Sequence, residues 1–118
     1  MKKAVALIAM FAVLAFCSSA FAHPPSDIII TYDSAAKMLK AVIMHNVSNT
    51  EKHYISKVDV GLNGKEIILH SIRRQDNNAS QTVSYLIPDT KPGDTLSVEA
   101  TCSISGKLKK EIKVPENK

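Results

Sequence analysis

The chain is poor in aromatic residues and has no tryptophan. Its 118 residues include only three phenylalanines and three tyrosines, and all three phenylalanines fall within the first 22 residues. Aromatic platforms on which bases or sugars stack are therefore nearly absent from the rest of the chain. We expect no nucleic-acid partner, and we expect a core built from aliphatic side chains.

Cysteine is also scarce. Of the two cysteines, Cys17 lies in an N-terminal leader described below, so Cys102 has no intramolecular partner after that leader is removed. A lone thiol in an oxidising compartment is buried as a small hydrophobe, bound to a metal or paired between chains. All three roles remain open for Cys102 at this point.

Long apolar runs are missing after residue 22. Residues 1–22 have the three parts of a secretory signal peptide, namely Lys2 and Lys3, an apolar run over residues 4–16, and the small-residue cleavage site Ala20-Phe21-Ala22. The run is shorter than the ~20 residues that a membrane-spanning helix needs. We therefore predict no membrane span, cleavage before His23, and a periplasmic or secreted product.

Length and charge indicate one small domain. Removing 22 residues from 118 leaves 96, enough for a single domain with a modest core. The net charge falls from +4 to +2, because Lys2 and Lys3 leave with the leader and no acidic residue does. We predict a cleaved signal peptide over residues 1–22, a domain over 23–114 and a flexible tail over 115–118.

The hydrophobic pattern predicts strands throughout the domain. Alternating or β-branched runs, separated by turn-rich segments, predict strands at 27–32, 37–45, 53–62, 65–72, 80–87, 96–102 and 107–114. Asn63-Gly64 is a strong hairpin signal between the third and fourth strands. In the third strand, the alternation predicts Tyr54, Val58, Val60 and Leu62 on one face, with Ser56 as the exception. The fold class is predicted to be all-β, an immunoglobulin-like seven-stranded antiparallel β-sandwich.

The donor residues of the chain resemble those of an iron site. The segment HNVSNTEKHYISKVDV at residues 45–60 resembles the iron domain of desulfoferrodoxin and neelaredoxin, the superoxide reductase family. His23-Pro24-Pro25 is similar to the His-x-Pro segment that carries the family's first ligand. Lys91-Pro92-Gly93-Asp94 precedes Cys102 as a similar segment precedes the family's cysteine ligand. The resemblance covers most of the chain after residue 22.

The resemblance implies an immunoglobulin-like sandwich with a mononuclear metal site. The implied ligands are His23, His45, His53 and Cys102, and the implied cofactor is iron. Imidazole and thiolate donors also suit copper and zinc, so the donors alone do not select the metal. The alternative is that the histidines are ordinary surface or core residues and that Cys102 is a buried thiol. His70 lies on a predicted strand away from the resemblance and is left out of the site.

The chain departs from the family in three ways. Cys102-Ser103-Ile104-Ser105-Gly106 keeps the family's glycine but has Ser105 in the place of its fourth histidine ligand. The loop from His45 to His53 is two residues longer, and the family's Glu-Lys pair would fall in the leader. These departures argue against catalysis by the family's mechanism. Cleavage offers one compensation, because the amine and ring of a terminal His23 together form a copper-type chelate.

Two functions follow from the sequence. The first is a periplasmic superoxide-reductase-like domain that binds a mononuclear iron or related metal and has a redox or metal-handling role, with a redox protein as partner. The second is a non-catalytic immunoglobulin-like module that binds another envelope protein through its edge strands or through the polar loop at residues 73–79. A fold of this kind serves either function, so the site must decide.

Overall fold

The computed structural model describes residues 23–116, and these form two antiparallel sheets. Seven strands are present, β1 (Asp27–Asp33), β2 (Met38–Met44), β3 (Ile55–Leu62), β4 (Lys65–Ser71), β5 (Ser80–Leu86), β6 (Thr95–Cys102) and β7 (Lys107–Lys113). Within residues 23–116 there is no helix, and hence none that could cross a membrane. The prediction of an all-β sandwich is confirmed. The predicted signal peptide and the last two residues of the predicted tail lie outside the described residues.

The two sheets differ in size. One contains three strands in the order β1-β2-β5, and the other contains four in the order β4-β3-β6-β7. Consecutive strands pair as hairpins in β1-β2, β3-β4 and β6-β7. The strands of the pairs β2-β5 and β3-β6 are not consecutive, because the chain passes to the other sheet between them. The three-stranded sheet therefore has one strand that is paired on both edges, β2. The four-stranded sheet has two such strands, β3 and β6.

The core lies between the sheets and is aliphatic, as the composition predicted. In β2 the alternate residues Leu39, Ala41 and Ile43 are fully buried. In β6 the alternate residues Leu96, Val98 and Ala100 are fully buried as well, and Cys102 continues their face. Because side chains of a strand alternate between its two faces, this pattern places every second residue against the other sheet and the rest in contact with solvent.

The Asn63-Gly64 hairpin is confirmed. Both residues have positive φ angles, 51° at Asn63 and 84° at Gly64. This is the conformation of a two-residue type I′ turn, whose twist matches that of the flanking strands. Asn63 also bonds to the start of β6, because its side-chain carbonyl accepts from Thr95 N at 2.9 Å.

The predicted inward face of β3 is wrong at its first residues. The pairing of β3 with β6 shifts register between Ile55 and Lys57, so Ser56 is an extra residue in a β-bulge. The bulge reverses the alternation on its N-terminal side. Ile55 is consequently fully buried opposite Cys102, whereas Tyr54, which the alternation placed inward, is only half-buried.

The turn at Gly64 provides a test of the fold. Gly64→Ala should lower the free energy of unfolding by about 1–2 kcal/mol, because a residue with a Cβ is strained at positive φ. A Cβ at this position would meet no atom within 4 Å, so steric contact contributes nothing. Urea denaturation measures the effect. Gly64→Asn is the matched control and should lose less stability, because asparagine tolerates positive φ better than alanine; an equal loss in both variants would contradict the turn assignment.

Candidate metal centre

Three histidines that are distant in sequence meet at one end of the sandwich. One nitrogen from each of His23, His45 and His53 lies within 4.8 Å of the others. The ring centroids form a nearly equilateral triangle with sides of 4.8, 5.0 and 4.8 Å. These are the three histidines that the sequence predicted as ligands, and the structure brings all of them together.

His45 is the buried member of this triad. It directly follows β2, and its backbone N–H donates to Ala79 O at 2.9 Å, which fastens it to the start of β5. Its side chain is fully buried. A buried imidazole requires partners for its polar atoms, and these come from two other segments of the chain.

Gln75 orients the ring of His45. The side-chain oxygen of Gln75 lies 2.8 Å from His45 Nδ1, while its Nε2 donates to the carbonyls of His45 and Asn77 at 2.7 and 2.9 Å. These two donations fix which end of the amide faces the ring, so Nδ1 must carry the hydrogen. In the neutral ring Nε2 then keeps its lone pair, which a metal needs.

The role of Gln75 at the site was not predicted from the sequence. It lies in the polar loop at residues 73–79, where its neighbours Arg73 and Arg74 are exposed, yet Gln75 itself is 1% exposed. A single uncharged polar residue in a hydrophilic loop carries no signal of burial. Only the contact with a residue thirty positions earlier shows its role.

His53 is placed by a compact turn. Its backbone N–H donates to Asn49 O at 2.9 Å, and the Asn49 side chain accepts from Glu51 N at 3.0 Å. The turn lets the loop between His45 and His53 close, and the centroids of the two rings lie 4.8 Å apart. At the other end, Tyr54 N donates to Ser103 Oγ, which ties the start of β3 to the end of β6.

His23 reaches the triad on a short segment that precedes β1. Its Nε2 lies 3.0 Å from Asn46 O, and its Nδ1 lies 3.1 Å from Pro24 O. Pro24 packs against the β6–β7 turn, where a Cβ at Gly106 would lie only 2.9 Å from Pro24 Cβ. Glycine at that position therefore permits the close approach that brings His23 to the cluster.

Cys102 adjoins the triad at the end of β6. Its sulfur lies 3.1 Å from His53 Nε2 and accepts from Ile104 N at 3.5 Å. The residue is 4% exposed, so the inward position predicted from alternation is confirmed. The three histidines each have a nitrogen near those of the other two, whereas Cys102 joins this group only through the contact of its sulfur with His53.

The spacing of the rings fits a metal ion. A metal bonded to imidazole nitrogens at ~2.0–2.1 Å lies ~3.2 Å from each ring centre, so three tetrahedrally arranged rings have centres about 5 Å apart. The observed centroid separations of 4.8–5.0 Å match that value. A thiolate and an imidazole on one metal are ~3.5 Å apart, close to the 3.1 Å between Cys102 and His53. The donor nitrogens lie within 4.8 Å of one another, whereas nitrogens on one tetrahedral ion are ~3.3 Å apart, so the rings must turn inward to close around an ion.

The surroundings disfavour protonation of His53. Burial lowers the pKa of His53 below its usual 6.5, and the neighbouring His45 and His23 lower it further by charge repulsion. A neutral imidazole is the form that binds metals. The lowered pKa of His53 therefore favours its availability as a ligand.

An open pocket leads to the triad. It has a volume of about 360 Å³ and is lined by His23, Asn46, Val47, Ser48 and His53. A small molecule can reach two of the three rings through it. His45 and Cys102 lie behind this opening and are shielded from it by burial.

The remaining residues considered from sequence lie elsewhere. Ser105 is exposed in the β6–β7 turn, next to the Gly106 that packs on Pro24. His70 is on β4, where its Nδ1 bonds to Tyr85 OH at 2.7 Å and its ring stacks edge-on against that tyrosine. The exclusion of His70 from the site agrees with this position.

The lowered pKa of His53 predicts acid sensitivity. As pH falls through 6.5, the unfolded chain protonates His53 while the folded, metal-free chain resists, so the unfolded state binds more protons and the free energy of unfolding falls. The urea midpoint of metal-free protein should therefore be lower at pH 5.5 than at pH 8. His53→Gln should reduce this difference, and His70→Ala should retain it; an unchanged difference in His53→Gln would exclude His53 as its source.

The contact between Gln75 and His45 predicts that loss of the Gln75 side chain destabilises the fold. Gln75→Ala leaves the buried Nδ1 of His45 without a partner, so the free energy of unfolding should fall by about 1–3 kcal/mol. Metal affinity, where measured, should fall about 10- to 100-fold. Asn78→Ala is the matched control, since Asn78 is in the same loop but donates only to Ser48 O at 3.4 Å. Equal effects in both variants would refute the specific role of Gln75.

Comparison with known proteins supports the fold alone. No family model matches the chain, and no curated protein matches it. Among solved structures, the chain is similar to the crystal structure of the hypothetical protein PH1083 from Pyrococcus horikoshii OT3. The TM-score is 0.54 at 14% sequence identity, over 81% of this chain and 92% of that one. At this identity the likeness concerns the arrangement of strands and says nothing of the site.

Proposed function

We propose that the chain is an exported, superoxide-reductase-like domain that holds a mononuclear iron or related metal for a redox or metal-handling role. The observation that supports it is the convergence of His23, His45 and His53, with ring centroids 4.8–5.0 Å apart, beside the sulfur of Cys102. The leader-like residues 1–22 support export to the periplasm.

The convergence argues for a binding site because inert histidines have no reason to assemble. Three imidazoles in contact repel one another whenever more than one is protonated. His23 and His45 also direct ring nitrogens at backbone carbonyls, with His45 Nε2 only 3.2 Å from His23 O. A lone pair facing a carbonyl is unfavourable, and a bound cation relieves that contact.

Each residue has a part in such a site. Gln75 sets the tautomer of His45, burial and the two neighbouring imidazoles lower the pKa of His53, and Cys102 offers a sulfur that accepts from Ile104 N. The pocket at His23 and His53 admits a small molecule or a second protein's ligand. When bound, the metal supplies electron-transfer or Lewis-acid chemistry at the floor of this pocket.

The absent fourth histidine limits the proposed activity. Ser105 is exposed in its turn, and a hydroxyl is a weak ligand beside imidazole. The site therefore has three imidazoles and a thiolate rather than the family's full set. We expect metal binding with little superoxide reductase activity, and metal handling is the role that this donor set supports best.

Metal titration tests the proposal. The untagged chain beginning at His23 should bind one equivalent of Fe(II), Cu(II) or Zn(II), and His45→Ala should weaken the tightest of these by about 10-fold or more. His70→Ala is the control and should bind as the wild type does. Failure of the wild type to bind any of these metals would overturn the proposal and favour the envelope-protein-binding module.

Absorption spectroscopy tests the place of Cys102. Oxidised, iron- or copper-loaded protein should show a visible sulfur-to-metal charge-transfer band, because Cys102 Sγ lies within coordination reach of the His53 donor. Cys102→Ser should remove the band while retaining histidine-based binding. A band that survives this substitution, or a colourless loaded wild type, would exclude thiolate ligation to iron or copper.

A further inference from the structure

The main chain of His23, and not only its ring, lies at the histidine triad. The carbonyl oxygen of His23 is 3.2 Å from His45 Nε2. The α-nitrogen and carbonyl oxygen of one residue are separated by about 3 Å, so the α-nitrogen of His23 lies within about 6 Å of that ring nitrogen. Residue 23 therefore brings a backbone nitrogen as well as an imidazole within about 6 Å of the site.

The segment that carries His23 is held in place on both sides. Pro24 packs against Gly106, whose φ of 90° and lack of a Cβ allow the contact. Pro25 is buried, and Ser26 N donates to Met44 O at 2.8 Å. A chain that started at His23 would therefore begin on a fixed support directly beside the cluster.

The site lacks a nitrogen donor that processing can supply. The resemblance puts a fourth histidine where this chain has the exposed Ser105. Cleavage after Ala22, which the leader pattern predicts, would turn the α-nitrogen of His23 from an amide into a free amine. That amine and Nδ1 of the same residue can close a six-membered chelate ring, and the metal then displaces the local contact between Nδ1 and Pro24 O.

The residues after His23 restrict how copper can bind there. At a free N-terminus, copper commonly takes successive deprotonated backbone amides as ligands. Pro24 and Pro25 have no N–H, so that mode is closed. The amine and ring of His23 must then be completed by donors from elsewhere in the fold, and the rings of His45 and His53 are the ones in position.

We propose that removal of residues 1–22 completes the metal site, with the α-amine and ring of His23 chelating Cu(II) together with His45 and His53. A nitrogen-rich set of this kind favours the tetragonal coordination of Cu(II), which also heads the affinity order of divalent metals. The inference rests on the proposed function, since it uses the same triad. It specifies Cu(II) as the metal and makes high affinity for this ion depend on removal of residues 1–22.

The first experiment determines the natural terminus. The full 118-residue chain is produced with its own leader in a bacterial host, recovered from the periplasm and examined by intact mass and N-terminal sequencing. The expected mature chain begins at His23. A chain that begins at any other residue overturns the inference.

The second experiment compares a free with a blocked α-nitrogen. Residues 23–118 contain all seven strands and the core, so two chains are prepared, one that begins at His23 and one with a Ser-Pro-Ser-Pro extension before it. Proline at the second position of the extension has no N–H, so the new terminal amine cannot recruit successive backbone amides as copper ligands. Both chains carry Cys102→Ser, so that the thiol cannot reduce Cu(II), and His70→Ala is added to each as a control for nonspecific histidine binding.

Copper affinity by competition titration and nitrogen hyperfine coupling by electron paramagnetic resonance are the readouts. The chain beginning at His23 should bind Cu(II) on the order of 100-fold more tightly than the extended chain, because the amine adds an intramolecular donor. It should also show one more coordinated nitrogen. Equal affinity in the two chains overturns this inference but leaves the proposed function standing, whereas failure of both chains and of the wild type to bind copper, iron or zinc overturns both.

Discussion

The antiparallel pairing of β3 with β6 is the interaction on which the sandwich and the candidate site both depend. These strands are the inner pair of the four-stranded sheet, and their facing residues supply much of the buried aliphatic core. At the end where Ile55 pairs with Cys102, the same ladder places His53 beside the sulfur. Reciprocal bonds from Tyr54 N to Ser103 Oγ and from Ser103 N to Tyr54 O fix that end. The register that buries the core is thus also the register that assembles the donors.

Much of the fold could be predicted because its information is local. Alternation of apolar residues and turn chemistry placed all seven strands within two residues of their observed ends, and Asn63-Gly64 specified its own backbone angles. The bulge at Ser56 could not be predicted in this way. A bulge is defined by how one strand pairs with another, and a single strand's sequence does not show it. The alternation rule therefore assigned Tyr54 to the face on which Ile55 lies. The immunoglobulin-like strand order remains a prediction beyond the sandwich itself.

The candidate ligands could be named from sequence because imidazole and thiol side chains are few and distinctive, and His23, His45 and His53 do converge. What supports them was not visible. Gln75 contacts His45 across thirty positions, and the packing of Pro24 on Gly106 joins the two ends of the domain. Such contacts arise from tertiary structure and involve residues whose types are common in exposed loops. Sequence chemistry therefore identified the donors, and only the fold shows what aligns them.

The four candidate donors come from four separate segments, the residue before β1, the end of β2, the loop before β3 and the end of β6. A metal bound by all of them would connect parts of the chain that are up to 79 positions apart, from His23 to Cys102. Such a cross-link removes conformational freedom from the unfolded chain, as a disulfide does, and its stabilisation of the fold rises with the logarithm of the ion concentration. Cys102 is the free cysteine of the described residues, so residues 23–116 form no disulfide among themselves, and a bound ion would act as a reversible cross-link.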